Sequence, residues 1–166
     1  PKRVAEDTWA REQDKWEHLK LLRIQPVLGS LQKRIKALNT LADVYVINRE
    51  NTEWLVDYYR NDWPFDMVVV DELSSFKNHN SKRFKALKCV RPLIQRFIGL
   101  TGTPAPNGYL DLWAQMYLID QGERLGKFIT HYRDDYFEPD KMSFDRIYTY
   151  KPKDNAISII KNKISD

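Results

Sequence analysis

The sequence predicts an α/β protein built on a parallel sheet covered by helices in three layers. Three observations support this. Short apolar runs at 44–47, 67–70 and 97–100 each stop in a polar loop, as buried strands do. Stretches with apolar residues at helical spacing lie between them. Ser30 and Ser81 stand where helix N-caps belong, with Pro92 and Gly122 just beyond helix ends. Strands that alternate with helices pair in parallel, because each helix carries the chain back across the sheet.

Element by element, residues 3–22 read as a helix with Val4, Trp9, Trp16 and Leu19 on a buried stripe. A short strand follows at 24–28, stopped by Gly29. Ser30 caps a helix over 31–41 whose Leu31, Ile35, Leu38 and Leu41 face inward. Residues 44–47 are a strand, 48–51 its loop and 52–59 a helix. Asn61-Asp62-Trp63-Pro64 breaks the chain before the strand at 67–70. Val68, Val69 and Val70 read there as buried on both faces. Ser81 caps a helix to about residue 90, and 97–100 is the next strand. Residues 109–120 and 127–136 are helical, 137–150 irregular or extended, and Asp154 caps a last helix.

The chain has 166 residues, 42% hydrophobic and 30% charged, which suits a globular domain with a sizeable core. A net charge of +4 permits a nucleic-acid partner without requiring one. The one cysteine, Cys89, excludes an internal disulfide and reads as a buried thiol on a helix. His18, His79 and His131 lack zinc-ligand spacing. No apolar run reaches membrane-spanning length, so the expected location is cytoplasmic. Trp54 and Trp113, like Trp9 and Trp16, fit core packing better than base stacking. Lys82, Lys85 and Lys88 read as a solvated helix face.

The chemistry concentrates where the strand at 67–70 runs into Asp71 and Glu72. In open α/β sheets ligands sit at the strands' C-terminal edge. One carboxylate there can hold hydrated Mg²⁺, which prefers oxygen ligands and keeps several waters. The other can orient or deprotonate a water. Taken alone, Asp-Glu after a strand is an ordinary turn opening. The next strand changes the balance, because 97–100 ends in Thr101-Gly102-Thr103-Pro104. A crossover between parallel neighbours sets the two loops side by side.

Asp71-Glu72 followed by Thr101-Gly102-Thr103-Pro104 resembles motifs II and III of superfamily-two helicases, specifically the Swi/Snf-like DNA translocases. Leu100 through Pro104, then Asn107, then Leu112-Trp113, is similar to that family's pattern. Asp71-Glu72-Leu73-Ser74-Ser75-Phe76-Lys77-Asn78 is closest to its phage-associated bacterial members, which implies a bacterial or phage-encoded protein. The resemblance runs from Pro1 to about Asp140. It implies a partial RecA-like (P-loop NTPase) lobe and an ATP-dependent helicase or translocase that uses ATP and Mg²⁺ to move on duplex DNA. It further implies that Asp71 holds Mg²⁺ through water and that Glu72 activates the hydrolytic water. Ser74, Thr101, Gly102 and Thr103 would couple the nucleotide to the DNA track. Ser74 departs from the His or Asp that many helicases carry there.

Lys2 and Arg3 look like the end of motif Ia, and Arg49 stands where the family carries motif Ib; all three would contact DNA phosphates. For Arg49, an ordinary surface arginine is an equal reading. The sequence holds no Gly-x-x-x-x-Gly-Lys-[Ser/Thr] phosphate cradle. The stretch 122–128 comes nearest, but it has three residues between its glycines instead of four, and Phe128 replaces the hydroxyl. The expectation is a fragment, 1–166, spanning motif Ia to past motif III, inactive alone. The first strand and P-loop would lie upstream and a second RecA-like lobe of the same chain downstream. The rival readings are a non-catalytic DNA- or protein-binding module with motor-like sequence, and a metal-dependent nuclease using Asp71 and Glu72.

Overall fold

The computed structural model describes residues 15–105, 108–143 and 146–165. The chain divides into two compact units, Pro1–Tyr58 and Tyr59–Asp166. Most of the helix expected at 3–22 lies outside the described residues. From Trp16 onward it is not an α-helix. Trp16 is extended, a 3₁₀ turn occupies Glu17–Leu19, and Leu19 and Leu22 donate to carbonyls three residues back. Trp16 is 54% exposed instead of buried.

In the first unit, β1 (Ile24–Pro26) pairs in parallel with β2 (Val44–Val46), with Ile24 opposite Val44. The start of the pair is clamped by Asp43. Its carboxylate accepts from the Arg23 backbone N–H at 2.8 Å and from the guanidinium at 2.9 and 2.7 Å. Helix α1 (Leu31–Leu38) opens on Ser30, whose hydroxyl accepts from the Lys33 N–H. It stops three residues short of the expected end. Thr40 turns back, its N–H donating to Ala37 and its hydroxyl to the Lys36 carbonyl. Leu41 is therefore outside the helix and exposed; Leu31 is exposed too, and Ala37 and Leu38 form the buried face. Helix α2 (Thr52–Tyr59) has the expected bounds and buries Leu55 and Val56.

In the second unit, β3 (Met67–Asp71) lies parallel to β4 (Arg96–Leu100). Between them runs α3 (Lys82–Val90), capped as expected by the Ser81 hydroxyl, which accepts from the Phe84 N–H at 3.3 Å. It buries Phe84, Leu87 and Val90; Cys89 faces outward and is exposed, contrary to expectation. The described residues cover one face of the β3–β4 pair. Val70 and Phe97 are buried, whereas Met67, Val69 and Leu100 are 54%, 44% and 43% exposed. Among the described residues the valine run is thus buried on one face of the sheet and not on both, with the alternation of a half-covered strand.

Helix α4 (Leu112–Asp120) packs against β4 and α3. Its C-terminal carbonyls are held by Arg91, 6% exposed, whose guanidinium donates to Leu118, Ile119 and Ile94 carbonyls. Gly122 follows at φ +87°, where a Cβ would come 2.7 Å from the Gly126 carbonyl oxygen. Helix α5 (Ile129–Tyr136) buries Tyr132, whose hydroxyl donates to the Tyr109 carbonyl at 2.7 Å; burial pushes that phenol well above its usual range. The segment expected to be irregular or extended forms nested antiparallel pairs. In them β5 (Phe137–Pro139) pairs with β8 (Tyr150–Pro152), and β6 (Met142–Ser143) with β7 (Arg146–Ile147). Helix α6 (Ala156–Ile164) closes the chain. Its N-cap is Asn155 in the left-handed region, not Asp154. Among the described residues no helix is long and apolar enough to cross a membrane.

Candidate active site

The β3–β4 register decides what meets what. Val70 stands opposite Gly99 and Asp71 opposite Leu100. Glu72 and Thr101 are therefore the next residues out on strands about 4.8 Å apart. The acidic pair and the threonine bend leave the sheet at the same edge, side by side.

Each half of this edge is shaped locally. Asp71 and Glu72 are both exposed. Glu72 sits at φ 56°, ψ 57°, in the left-handed region that side chains other than glycine rarely adopt. A strained backbone persists where its surroundings hold it, and such positions cluster at functional sites. What holds it is the 3₁₀ turn Leu73–Phe76, whose Leu73 and Phe76 are 2% and 1% exposed. Leu73 presses onto Gly99, where a Cβ would lie 2.3 Å from the leucine Cδ2. Ser74 donates a long hydrogen bond, 3.5 Å, to the Glu72 carboxylate. In the bend, the Thr101 hydroxyl accepts from the Thr103 N–H at 3.3 Å, and Gly102 is exposed with open space where a Cβ would be.

Three further residues tie the halves together. Lys77 pairs with Asp111 at 3.2 Å, both half-buried. Gln115 of α4, fully buried, donates to the Pro104 carbonyl at 2.5 Å and to the Asp111 carbonyl at 3.1 Å. The sequence reading missed all three. The available signal was Gln115, an amide amid Leu-Trp-Ala and Met-Tyr-Leu-Ile in a helix that is otherwise apolar until its end.

The site's oxygens suit a hard cation. The Asp71 carboxylate makes no hydrogen bond or ion pair to another described residue, so its oxygens are available. Among the described residues no three His, Cys, Asp or Glu side chains converge to cage a metal. Two carboxylates with nearby hydroxyls fit Mg²⁺ that keeps waters and shares phosphate oxygens.

A sequence profile of the SNF2-related domain matches residues 1–133. The chain belongs to the SNF2-related domain family. Protein p41 of Acyrthosiphon pisum secondary endosymbiont phage 1 is 44% identical over 144 residues, 83% of this chain and 31% of p41. The ATP-dependent helicase FUN30 of Saccharomyces cerevisiae is 29% identical over 156 residues, 89% of this chain and 12% of the helicase. The Sulfolobus solfataricus SWI2/SNF2 ATPase core, solved in complex with dsDNA, superposes with a TM-score of 0.61 at 24% identity. The match covers 80% of this chain and 26% of that one. The α/β, RecA-like fold expected from the motifs is thus that of a SNF2 ATPase core. The chain spans less than a third of each of these three proteins.

The remaining residues singled out in this SNF2-related sequence fall elsewhere. Lys2, Arg3 and Asn107 lie outside the described residues. Arg49 opens the 3₁₀ turn Arg49–Asn51 in the first unit; its guanidinium contacts Glu50 at 3.4 Å and its carbonyl accepts from the Thr52 hydroxyl at 2.8 Å. The glycine pair Gly122 and Gly126 closes a turn after α4, with the Gly126 N–H donating to Gly122 at 3.0 Å. The Gly126 carbonyl accepts from the Trp113 indole at 3.0 Å. That turn packs a tryptophan, which agrees with its rejection as a phosphate cradle.

Proposed function

We propose that this chain is part of the first RecA-like lobe of an ATP-driven translocase on duplex DNA, running from motif Ia to past motif III. The observation that carries the reading is the parallel register that sets Asp71 and Glu72 beside the 101–104 bend, in a chain of the SNF2-related family. Bound Mg-ATP would supply a phosphoanhydride whose γ-phosphoryl is open to in-line attack by water. Asp71, exposed and with no side-chain partner among the described residues, would hold the ion through water. Glu72 would take the proton of the attacking water at its carboxylate. Its left-handed backbone turns the side chain away from the course of the strand, and Ser74 steadies an oxygen. Thr101 and Thr103 would carry the state of the site toward the DNA. Lys2, Arg3 and Arg49 would be the cations on the phosphate backbone, which makes binding salt-sensitive. A second lobe of the intact protein would close over the nucleotide.

The test is Glu72→Gln in the intact protein. The amide keeps the shape and loses the base, so ATP binding is retained and hydrolysis falls by about 10²–10⁴-fold. Nucleotide binding measured by fluorescence and turnover measured by phosphate release read the two separately. Hydrolysis near the wild-type rate removes Glu72 from the role. Plasmid cleavage with Mg²⁺ and no ATP would turn the reading toward a nuclease.

A further inference from the structure

A buried side chain, Gln115, contacts the end of the 101–104 bend. Gln115 is 2% exposed, and its amide nitrogen donates to the carbonyls of Pro104 and Asp111. Both partners only accept, so the NH₂ end must face them and the orientation of the amide is settled by chemistry. The amide oxygen is then left buried with no donor. A buried acceptor without a partner is destabilising, and an apolar side chain of the same shape would avoid it. Packing therefore does not account for glutamine here. Its distinctive work is the hydrogen bond to Pro104.

Asp111 is the junction. Its carboxylate forms an ion pair with Lys77, which follows Glu72 by one 3₁₀ turn, without hydrogen-bond geometry at that oxygen, and its carbonyl accepts from Gln115, which also contacts the bend. The path from Glu72 through the Leu73–Phe76 turn, Lys77, Asp111, Gln115 and Pro104 returns through Thr103, Gly102 and Thr101 to Leu100 at the end of β4, opposite Asp71. We infer that Gln115 is a positioning residue: it ties the threonine bend to the helix that also meets the acidic turn, so that a displacement at Glu72 can be passed to Thr101 and Thr103. This rests on the ATP-driven reading above and names the contact through which that site is coupled.

The test is Gln115→Met in the intact protein, which keeps length and volume and removes both donors and the idle oxygen. The expected result is a thermal midpoint unchanged or raised. DNA-stimulated kcat is expected to be lower by about 10- to 100-fold, with KM for ATP altered less than about two-fold. Amide hydrogen exchange should quicken at 101–105 and stay unchanged in α4. A lowered midpoint with normal kcat makes Gln115 merely structural and overturns the inference, as does unchanged exchange at 101–105. If the wild-type protein hydrolyses no ATP, the functional reading fails by itself. The exchange measurement then decides the brace alone: faster exchange confined to the bend supports it, and no change ends it.

Discussion

Gly99 leaves room for Leu73 and for nothing more. A Cβ at residue 99 would meet Leu73 Cδ2 at 2.3 Å, Cγ at 3.2 Å and Cβ at 3.3 Å. A leucine at 2% exposure has no empty rotamer to retreat into. Displacement must therefore pass to its neighbour Glu72, already in the left-handed region. Gly99→Ala is expected to destabilise the fold by about 1–3 kcal/mol, the usual cost of overpacking, measured by urea unfolding. Combining it with Leu73→Ala should recover part of the loss, with a coupling of at least about 0.5 kcal/mol. A Gly99→Ala protein as stable as wild type would show that the contact is slack. Single residues also mark where sequence reading stops. Asp71, Glu72, Thr101 and Thr103 are each ordinary turn residues alone and stand out only as a pair of loops ending two successive strands. Gly99 announces only that something approaches closely. Leu73 is visible as its partner only once the strands are in register.

Elements were most legible where a local hydrogen bond sets their limits. Ser81 placed the start of α3, and Thr52–Tyr59 carried its own bounds. Helix α1 overran because the apolar spacing continues to Leu41, while Thr40 caps the helix at Leu38 with its own hydroxyl. The Arg23–Asp43 clamp was not foreseen, since a pair 20 residues apart gives no periodic signal. It governs how the first parallel pair responds to acid. Hydrogen bonds from the Arg23 side chain, then from its backbone N–H, hold the Asp43 carboxyl well below the usual carboxylate range. A carboxylate whose pKa is lower folded than unfolded stabilises the fold above its unfolded value, about 3.9. That contribution is lost as pH falls through the lower folded value. Asp43→Asn should therefore melt earlier than wild type at pH 7, by a modest margin because solvent screens an exposed pair. The gap should close below about pH 3.9. Melting curves across that range check it; a gap constant from neutral to strongly acid pH would assign the loss to something other than the charge.

At the scale of the molecule, the family profile runs through both compact units and ends at residue 133, inside α5, so the hairpins and α6 lie past it. The sequence reading was weakest there too. Two-residue strands such as Met142–Ser143 are made by pairing rather than by propensity, and no window of sequence shows them. On the proposed reading, the chain would contribute to a motor the edge that handles water and the bend beside it. A phosphate cradle needs consecutive backbone N–H groups from a glycine-rich loop, with a lysine on the terminal phosphates. The 166 residues hold no such motif, and the turn at Gly122 and Gly126 spends its polar groups on its own backbone and on Trp113. In the proposed roles, Asp71 and Glu72 would place an ion and a water only against a phosphate chain that something else holds still. The 166-residue chain by itself is therefore expected to release no phosphate from ATP above background, with or without duplex DNA. The intact protein is expected to do so and to respond to DNA. Robust turnover by the short chain would mean that its acidic edge binds and cleaves the nucleotide without a cradle, and the division of labour argued from Glu72 and the threonine bend would have to be abandoned.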